Sequence, residues 1–190
     1  MQIITFIGEF IKHPRNTGAL TPSSEILAKN MLETINFEHS KTIVELGPGT
    51  GAFTEKLVKR KKKATFLILI EINETFVKDL QHKYAQDQSV HVIHGSAENL
   101  KKYLVGLNLD RVDYVLSGLP FTSMPIDVSE RILRNVKDSL LHSGKFITFQ
   151  YSRVKKKLIQ SFFPRITETK VWLNFPPAYV LACEKGQETR

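Results

Sequence analysis

A single cysteine, Cys183, stands in the 190 residues. No intrachain disulfide can form, and the chain suits a reducing compartment. Cys183 itself reads as a small core residue on a strand rather than a reactive thiol. No apolar run approaches the roughly 20 residues that a membrane-crossing helix needs. The opening MQIITFIGEFIKHP lacks the basic start and small-residue cleavage site of a signal peptide. These absences predict a cytoplasmic protein, with any membrane contact peripheral, at the inner face. There is no internal repeat, no low-complexity tract and no linker long enough to divide domains. His91 and His94 alternate on a strand but have no third ligand at a suitable spacing, so no metal site is expected. Acidic residues are the scarcer charge: 19 against 27 basic, a net charge of +8. That excess favours a polyanionic partner, either nucleic acid or an anionic membrane surface, without choosing between them.

What is present is an ordinary globular composition, 42% hydrophobic and 24% charged, sufficient for one domain with a sizeable core, and a monomer is favoured. Strand and helix patterns alternate. The stretch 41–46, KTIVEL, reads as a strand leading into a glycine turn, and 52–63 as a helix. ATFLILIE, 64–71, is a continuous apolar run of the kind found in a central parallel strand. A helix near 74–86, a strand over 89–95, a short helix from about Glu98 and a strand over 111–116 follow. Residues 127–141 place Ile132, Leu133, Val136 and Leu140 on one helical face, ahead of a strand at 144–152. After a helix at 154–162, TETKVWLNF and AYVLACEK read as strands joined through Pro176 and Pro177, hence antiparallel neighbours. The expected fold is α/β: a doubly wound, mostly parallel, seven-stranded sheet with an antiparallel C-terminal hairpin. Residues 1–36 are expected as N-terminal helices, acting as a lid or facing a membrane, and 37–190 as the catalytic part of one structural domain. Ser23 and Ser24 are candidate caps for a helix at 23–36. Residues 2–12 gather Ile3, Ile4, Ile7, Phe10 and Ile11 on one face; such a helix suits a membrane interface or a cover over the core.

VELGPGTGAF, 44–53, lies where a ligand loop should be, after the first parallel strand and opening a helix. Gly47, Gly49 and Gly51 let the backbone turn sharply and approach a ligand closely. Two carboxylates sharpen the pattern. Glu71 closes the second strand, where an acid can accept hydrogen bonds from ribose hydroxyls, although a plain surface acid fits too. Glu45 lies inside the first strand, where a carboxylate needs a cationic ligand or a hydrogen-bonded network.

VELGPGTGAFTEKL resembles the first motif of the class I S-adenosylmethionine-dependent methyltransferases, with Pro48 between the glycines and Glu45 ahead of them. The resemblance implies that Gly47, Pro48, Gly49 and Gly51 meet the amino-acid end of S-adenosylmethionine, and that Glu71 and the adjoining Ile72 meet its ribose. HGSAEN, 94–99, is similar to the family's adenine-contacting motif and implies roles for Ser96, Ala97 and Glu98, although many relatives carry Asp where this chain has Ser96.

The loop SGLPFTSMP, 117–125, sits at the end of the fourth strand, with a glycine, two prolines and an exposed-looking Phe121. Adenine N-methyltransferases carry an Asn or Asp, then Pro-Pro or Leu-Pro, then an aromatic. Here the Leu-Pro-aromatic part is kept, and Ser117 or Gly118 replaces the Asn. This loop, HPRNTGALTPSS (13–24, with Arg15 and Thr21) and NFPPAYVLACEK (174–185) resemble the bacterial phospholipid N-methyltransferase family, which methylates phosphatidylethanolamine. The related rRNA adenine dimethyltransferases usually add a C-terminal helical domain, whereas this chain ends soon after its last strand. The resemblance implies an acceptor site in which Ser117 and the Leu119 carbonyl orient an amine. Phe121 and Tyr151 would line that pocket, and Arg15 would meet a phosphate or the cofactor carboxylate. RNA adenine methylation and non-catalytic cofactor binding are the alternatives. Lys59–Lys63 and Lys155–Lys157 are basic runs that suit either a solvated face or an anionic surface.

Overall fold

The computed structural model describes residues 22–174 and 176–186. The helix expected at 2–12, Arg15 and Thr21 lie outside the described residues. The elements run α1 (Pro22–Leu32), β1 (Thr42–Leu46), α2 (Ala52–Arg60), β2 (Phe66–Glu71), α3 (Glu74–Lys83), β3 (Val90–His94), α4 (Leu100–Gly106), β4 (Val112–Ser117), α5 (Ile126–Ser139), β5 (Leu140–Gln150), α6 (Lys156–Phe162), β6 (Arg165–Val171) and β7 (Ala178–Glu184). One seven-stranded sheet results, in the order β3-β2-β1-β4-β5-β7-β6. β1 to β5 pair in parallel, and β7 is antiparallel to both β5 and β6. The doubly wound fold with an antiparallel C-terminal pair is the one the alternation predicts.

The central strands are apolar on both faces because helices cover both. Ile43, Leu67 and Leu69 join a core with Leu57 of α2 and Leu80 of α3, whereas Val44, Leu46, Ile68 and Ile70 join a second core with α4, α5 and α6. Successive residues of one strand thus anchor two different layers. α1 adds Leu27, Ala28, Met31 and Leu32 to the first core and packs against β5 to β7. That part of the N-terminal segment is therefore built into the body of the domain. At the amino edge, Asp113 accepts from the Lys41 and Thr42 N–H groups at 2.9 and 2.8 Å, pinning the start of β4 to that of β1.

The C-terminal pair differs from the sequence expectation in detail. β6 stops at Val171, and 172–177 form the connection, so Trp172 and Leu173 are in a turn rather than a strand. Their β-propensity is outweighed by the approaching prolines, which cannot donate to a sheet ladder. Among the described residues no helix is long and apolar enough to cross a membrane.

Candidate active site at the carboxyl edge

Every sequence-predicted site residue within the described chain comes from the carboxyl ends of β1 to β5, the edge where open α/β sheets bind ligands. Three turns meet there, laced by backbone bonds. Gly95 N–H donates to Glu71 O, Gly47 N–H to Ile70 O and Gly118 N–H to Leu46 O, at 2.8, 2.9 and 2.9 Å. Each turn is held by the end of a neighbouring strand.

The glycine turn has φ of +68°, +56° and +84° at Gly47, Gly49 and Gly51. Side chains with a Cβ avoid this left-handed region. A Cβ on Gly49 would meet nothing within 4 Å, so the turn opens onto free space at its tip. Behind it lies Glu71, 2% exposed. Its Oε2 accepts from Gly49 N–H at 2.9 Å, and its Oε1 accepts from Ile72 and Asn73 N–H at 2.8 and 2.9 Å. The carboxylate that the sequence assigns to ribose thus ties the glycine turn to the start of α3. Ile72 in turn presents its carbonyl to His94 Nε2, 3.1 Å away.

Glu45 is 1% exposed. Its Oε2 accepts a 2.6 Å bond from Thr54 Oγ1 on α2, and its Oε1 is buried without a partner. Burial pushes its carboxyl up to about 8, the Thr54 bond opposes the shift, and nearby Glu71 adds to it. A buried acid with a spare oxygen beside an open glycine turn suits a small ligand with a cationic end, because an ammonium would both ionise and pair it. Thr54 was not singled out from sequence. The usable signal was that a carboxylate inside a strand demands a donor, and the first turn of the following helix faces it.

The third-strand turn brings Ser96, Ala97 and Glu98 together. Ser96 caps the short helical turn Ala97–Asn99, its Oγ accepting from Glu98 N–H at 3.3 Å. Ala97 is buried. Glu98 does not stand free: Arg131 of α5 bridges it to Asp127. Among the described residues no cluster of three or more His, Cys, Asp or Glu could hold a metal. His91 stacks on Phe66, ring centroids 4.1 Å apart, and its Nε2 lies 3.1 Å from Gln88 O.

The β4 turn corrects one expectation. Phe121 is fully buried, edge-on to Phe146 with centroids 6.0 Å apart, so its ring belongs to the core rather than to an open loop. An aromatic after Leu-Pro reads as exposed from sequence, yet Pro120 turns the chain inward and the second core receives the ring. Ser117 is also fully buried, and its Oγ accepts from Leu119 N–H at 3.2 Å. The Leu119 carbonyl accepts from Phe121 N–H at 2.9 Å, leaving a second lone pair. The Leu119 side chain lies over Gly47, where a Cβ would be 2.7 Å from Leu119 Cδ2. The glycine turn and the β4 turn are therefore in contact. Across the loop, Gln150 at the end of β5 accepts from Thr122 N–H and Oγ1 at 3.2 and 2.8 Å. Tyr151 follows, half-exposed, its ring edge-on to Phe149 with centroids 5.6 Å apart. Burial pushes its hydroxyl upward, and Asn174 opposes the shift, so at neutral pH it is a donor rather than a base.

Comparisons with known proteins agree with this fold. Residues 23–133 match the family described as ribosomal RNA adenine dimethylase. The ornithine lipid N-methyltransferase of Singulisphaera acidiphila is 31% identical over 97% of this chain and 96% of its own length. The ribosomal RNA small subunit methyltransferase A of a Hydrogenobaculum species is 25% identical over 86% of this chain, which spans 57% of that relative. In fold, the N-methyltransferase NodS from Bradyrhizobium japonicum, solved with S-adenosyl-l-homocysteine, superposes with a TM-score of 0.74 at 11% identity, covering 96% of this chain and 100% of that one. The chain belongs to the ribosomal RNA adenine dimethylase family and is an S-adenosylmethionine-dependent methyltransferase.

Proposed function

We propose that this enzyme methylates the amine of a lipid headgroup, of the kind carried by phosphatidylethanolamine or an ornithine lipid. The observation that carries the proposal is the state of the β4 turn. Holding a flat adenine needs a side-chain amide and a free aromatic face. Here the position of the amide is filled by Ser117 or Gly118, and the Phe121 ring is buried. What remains on the rim is backbone, Pro120 and the half-exposed Tyr151, enough to orient a small aliphatic amine. The similarity to an ornithine lipid N-methyltransferase along nearly the whole chain supports the same acceptor class.

In this reading the glycine turn, 47–51, and Glu45 receive the amino-acid end of the cofactor. Glu71 and Ile72 receive the ribose, and Ser96, Ala97 and Glu98 border the adenine. Thr21, outside the described residues, is proposed for the same pocket on the sequence resemblance alone. S-adenosylmethionine supplies a methyl group already activated on sulfur. The protein's work is to align an amine lone pair with that methyl and to keep water away. Ser117 fixes Leu119 so that its carbonyl's spare lone pair can accept from the amine, while Tyr151 closes the open side. The proton of the ammonium form leaves to solvent. Tyr151 also suits the methylated cationic product, since an aromatic face attracts a quaternary ammonium.

The test is transfer of labelled methyl from the cofactor to phosphatidylethanolamine vesicles, ornithine lipid vesicles or ribosomal RNA. Label in lipid supports the proposal. Label confined to RNA overturns it in favour of adenine methylation, the reading that the family match and the basic charge also allow.

A further inference from the structure

Four large apolar side chains stand out of the same rim. Tyr151 and Val154 are 46% and 74% exposed, and Trp172 and Leu173 are 69% and 76% exposed. The first two follow β5 and the second two follow β6. Both strands run antiparallel to β7, so they end on one edge, the edge that holds the acceptor turn. Cations interleave with these groups. The Lys170 ammonium lies 3.3 Å from the Trp172 ring centroid and 5.6 Å from that of Tyr179, and the Arg153 guanidinium lies 4.6 Å from the same Tyr179 ring. Lys155 and Lys157 add charge that forms no ion pair among the described residues. Gln150, at the end of β5, holds Thr122 of the acceptor turn, and Tyr151 follows it directly in the chain. The β5 end that precedes Tyr151 thus also holds the acceptor turn.

Single exposed apolar side chains are ordinary. A tryptophan and a leucine side by side at a turn, with valine and tyrosine on the same sheet edge, are not explained by packing; of the nearby cations, Arg153 and Lys156 pair with Glu168, whereas Lys170 lies over the Trp172 ring. We propose that the Trp172–Leu173 turn inserts into the headgroup region of an anionic lipid bilayer and seats the acceptor rim against the membrane surface. This rests on the lipid reading of the site. An indole suits the boundary between headgroups and acyl chains, and neighbouring Lys and Arg draw the turn toward anionic lipid. The aliphatic Leu173 and Val154 favour lipid over nucleic acid, because binding to a single strand draws on aromatic stacking and charge rather than on aliphatic burial.

Trp172 is the only tryptophan, so intrinsic emission reports on this turn alone. The full chain is mixed with phosphatidylcholine vesicles containing or lacking phosphatidylglycerol. The expected result is a blue shift with the anionic vesicles and quenching by brominated acyl chains. Leu173→Ser should weaken vesicle partitioning about tenfold, the scale of one leucine withdrawn from apolar surroundings. Its methyl transfer to detergent-dispersed lipid should be unaltered. Emission that stays unshifted with vesicles, or that shifts with an RNA oligonucleotide instead, overturns the inference. Methylation of dispersed lipid without the vesicle blue shift would sink the inference and leave the proposed function standing. A blue shift without methylation of any lipid would do the reverse.

Discussion

Glu45 carries a stability cost, and the proposed site gives it a binding function as well. Its carboxyl, raised to about 8 by burial, holds a proton in the folded chain over a range where the unfolded chain has lost it. Between the ordinary carboxylate value and about 8, the native state binds more protons than the unfolded one, so stability falls as pH rises. Above that it levels off. Glu45→Gln should flatten this slope in thermal melts recorded at several pH values. With the wild type, a cationic ligand end pairing with the ionised acid should release a proton. Calorimetry in buffers of differing ionisation heat should therefore show proton release near neutrality, and affinity that climbs toward pH 8. At the tip of the turn, Gly49→Val places a β-branched residue at φ +56° and fills the open space. The strain alone, about 1–2 kcal/mol, corresponds to roughly a tenfold or greater loss of cofactor affinity, measurable by equilibrium dialysis. The place of Glu45, Glu71 and the glycines at the carboxyl edge was legible from sequence, because a buried acid or a run of glycines at a strand end has few structural uses. Phe121 was misread because a short motif shows neither which way a loop turns nor where a core has room.

Between elements, side chains that were silent in the sequence do the joining. Gln150 reads as an ordinary polar strand end, yet it is 4% exposed and holds the β4 turn through Thr122. Gln150→Ala should leave the part-buried Thr122 N–H and hydroxyl without their acceptor, at a cost of about 1 kcal/mol, and loosen the β4 turn without touching the glycine turn. The expected kinetic signature is a lower kcat with cofactor affinity little changed; equal loss of both would show that the two turns cannot be separated. Gly118→Ala should behave differently. Its Cβ would stand 2.8 Å from Gly47 O, so it should disturb cofactor binding and turnover together. The parallel strands were legible because two-sided burial writes a continuous apolar run. The end of β6 was not, because Trp172 and Leu173 favour strands by type, and only the chain beyond them decides otherwise.

At the scale of the whole molecule, the net charge of +8 settles into a direction only once the fold is known. Part of it flanks the rim where β4, β5 and β6 end. Turnover on anionic vesicles should therefore fall as salt rises, since the screening length shrinks from about 10 Å to about 3 Å between 0.1 and 1 M. Turnover on detergent-dispersed lipid should change far less; parallel decline of both would place the salt effect inside the site. The layering and the mostly parallel sheet followed from the alternation of elements. The shared edge of Tyr151 and Trp172 did not, because it depends on β7 entering between β5 and β6.

The three bonds lacing the rim, from Gly95, Gly47 and Gly118 to the strand ends beside them, have a kinetic consequence. They make the turns a linked chain, from the β3 turn proposed to border the adenine to the β4 turn proposed to hold the amine. With Leu119 resting on Gly47, the β4 turn is expected to come into register once the glycine turn has settled. On the proposed site, such a linkage predicts a sequence of events: cofactor first, acceptor second, with the methylated acceptor departing before the spent cofactor. Initial-rate patterns would show this as competition between S-adenosylhomocysteine and S-adenosylmethionine, with no such competition against the lipid.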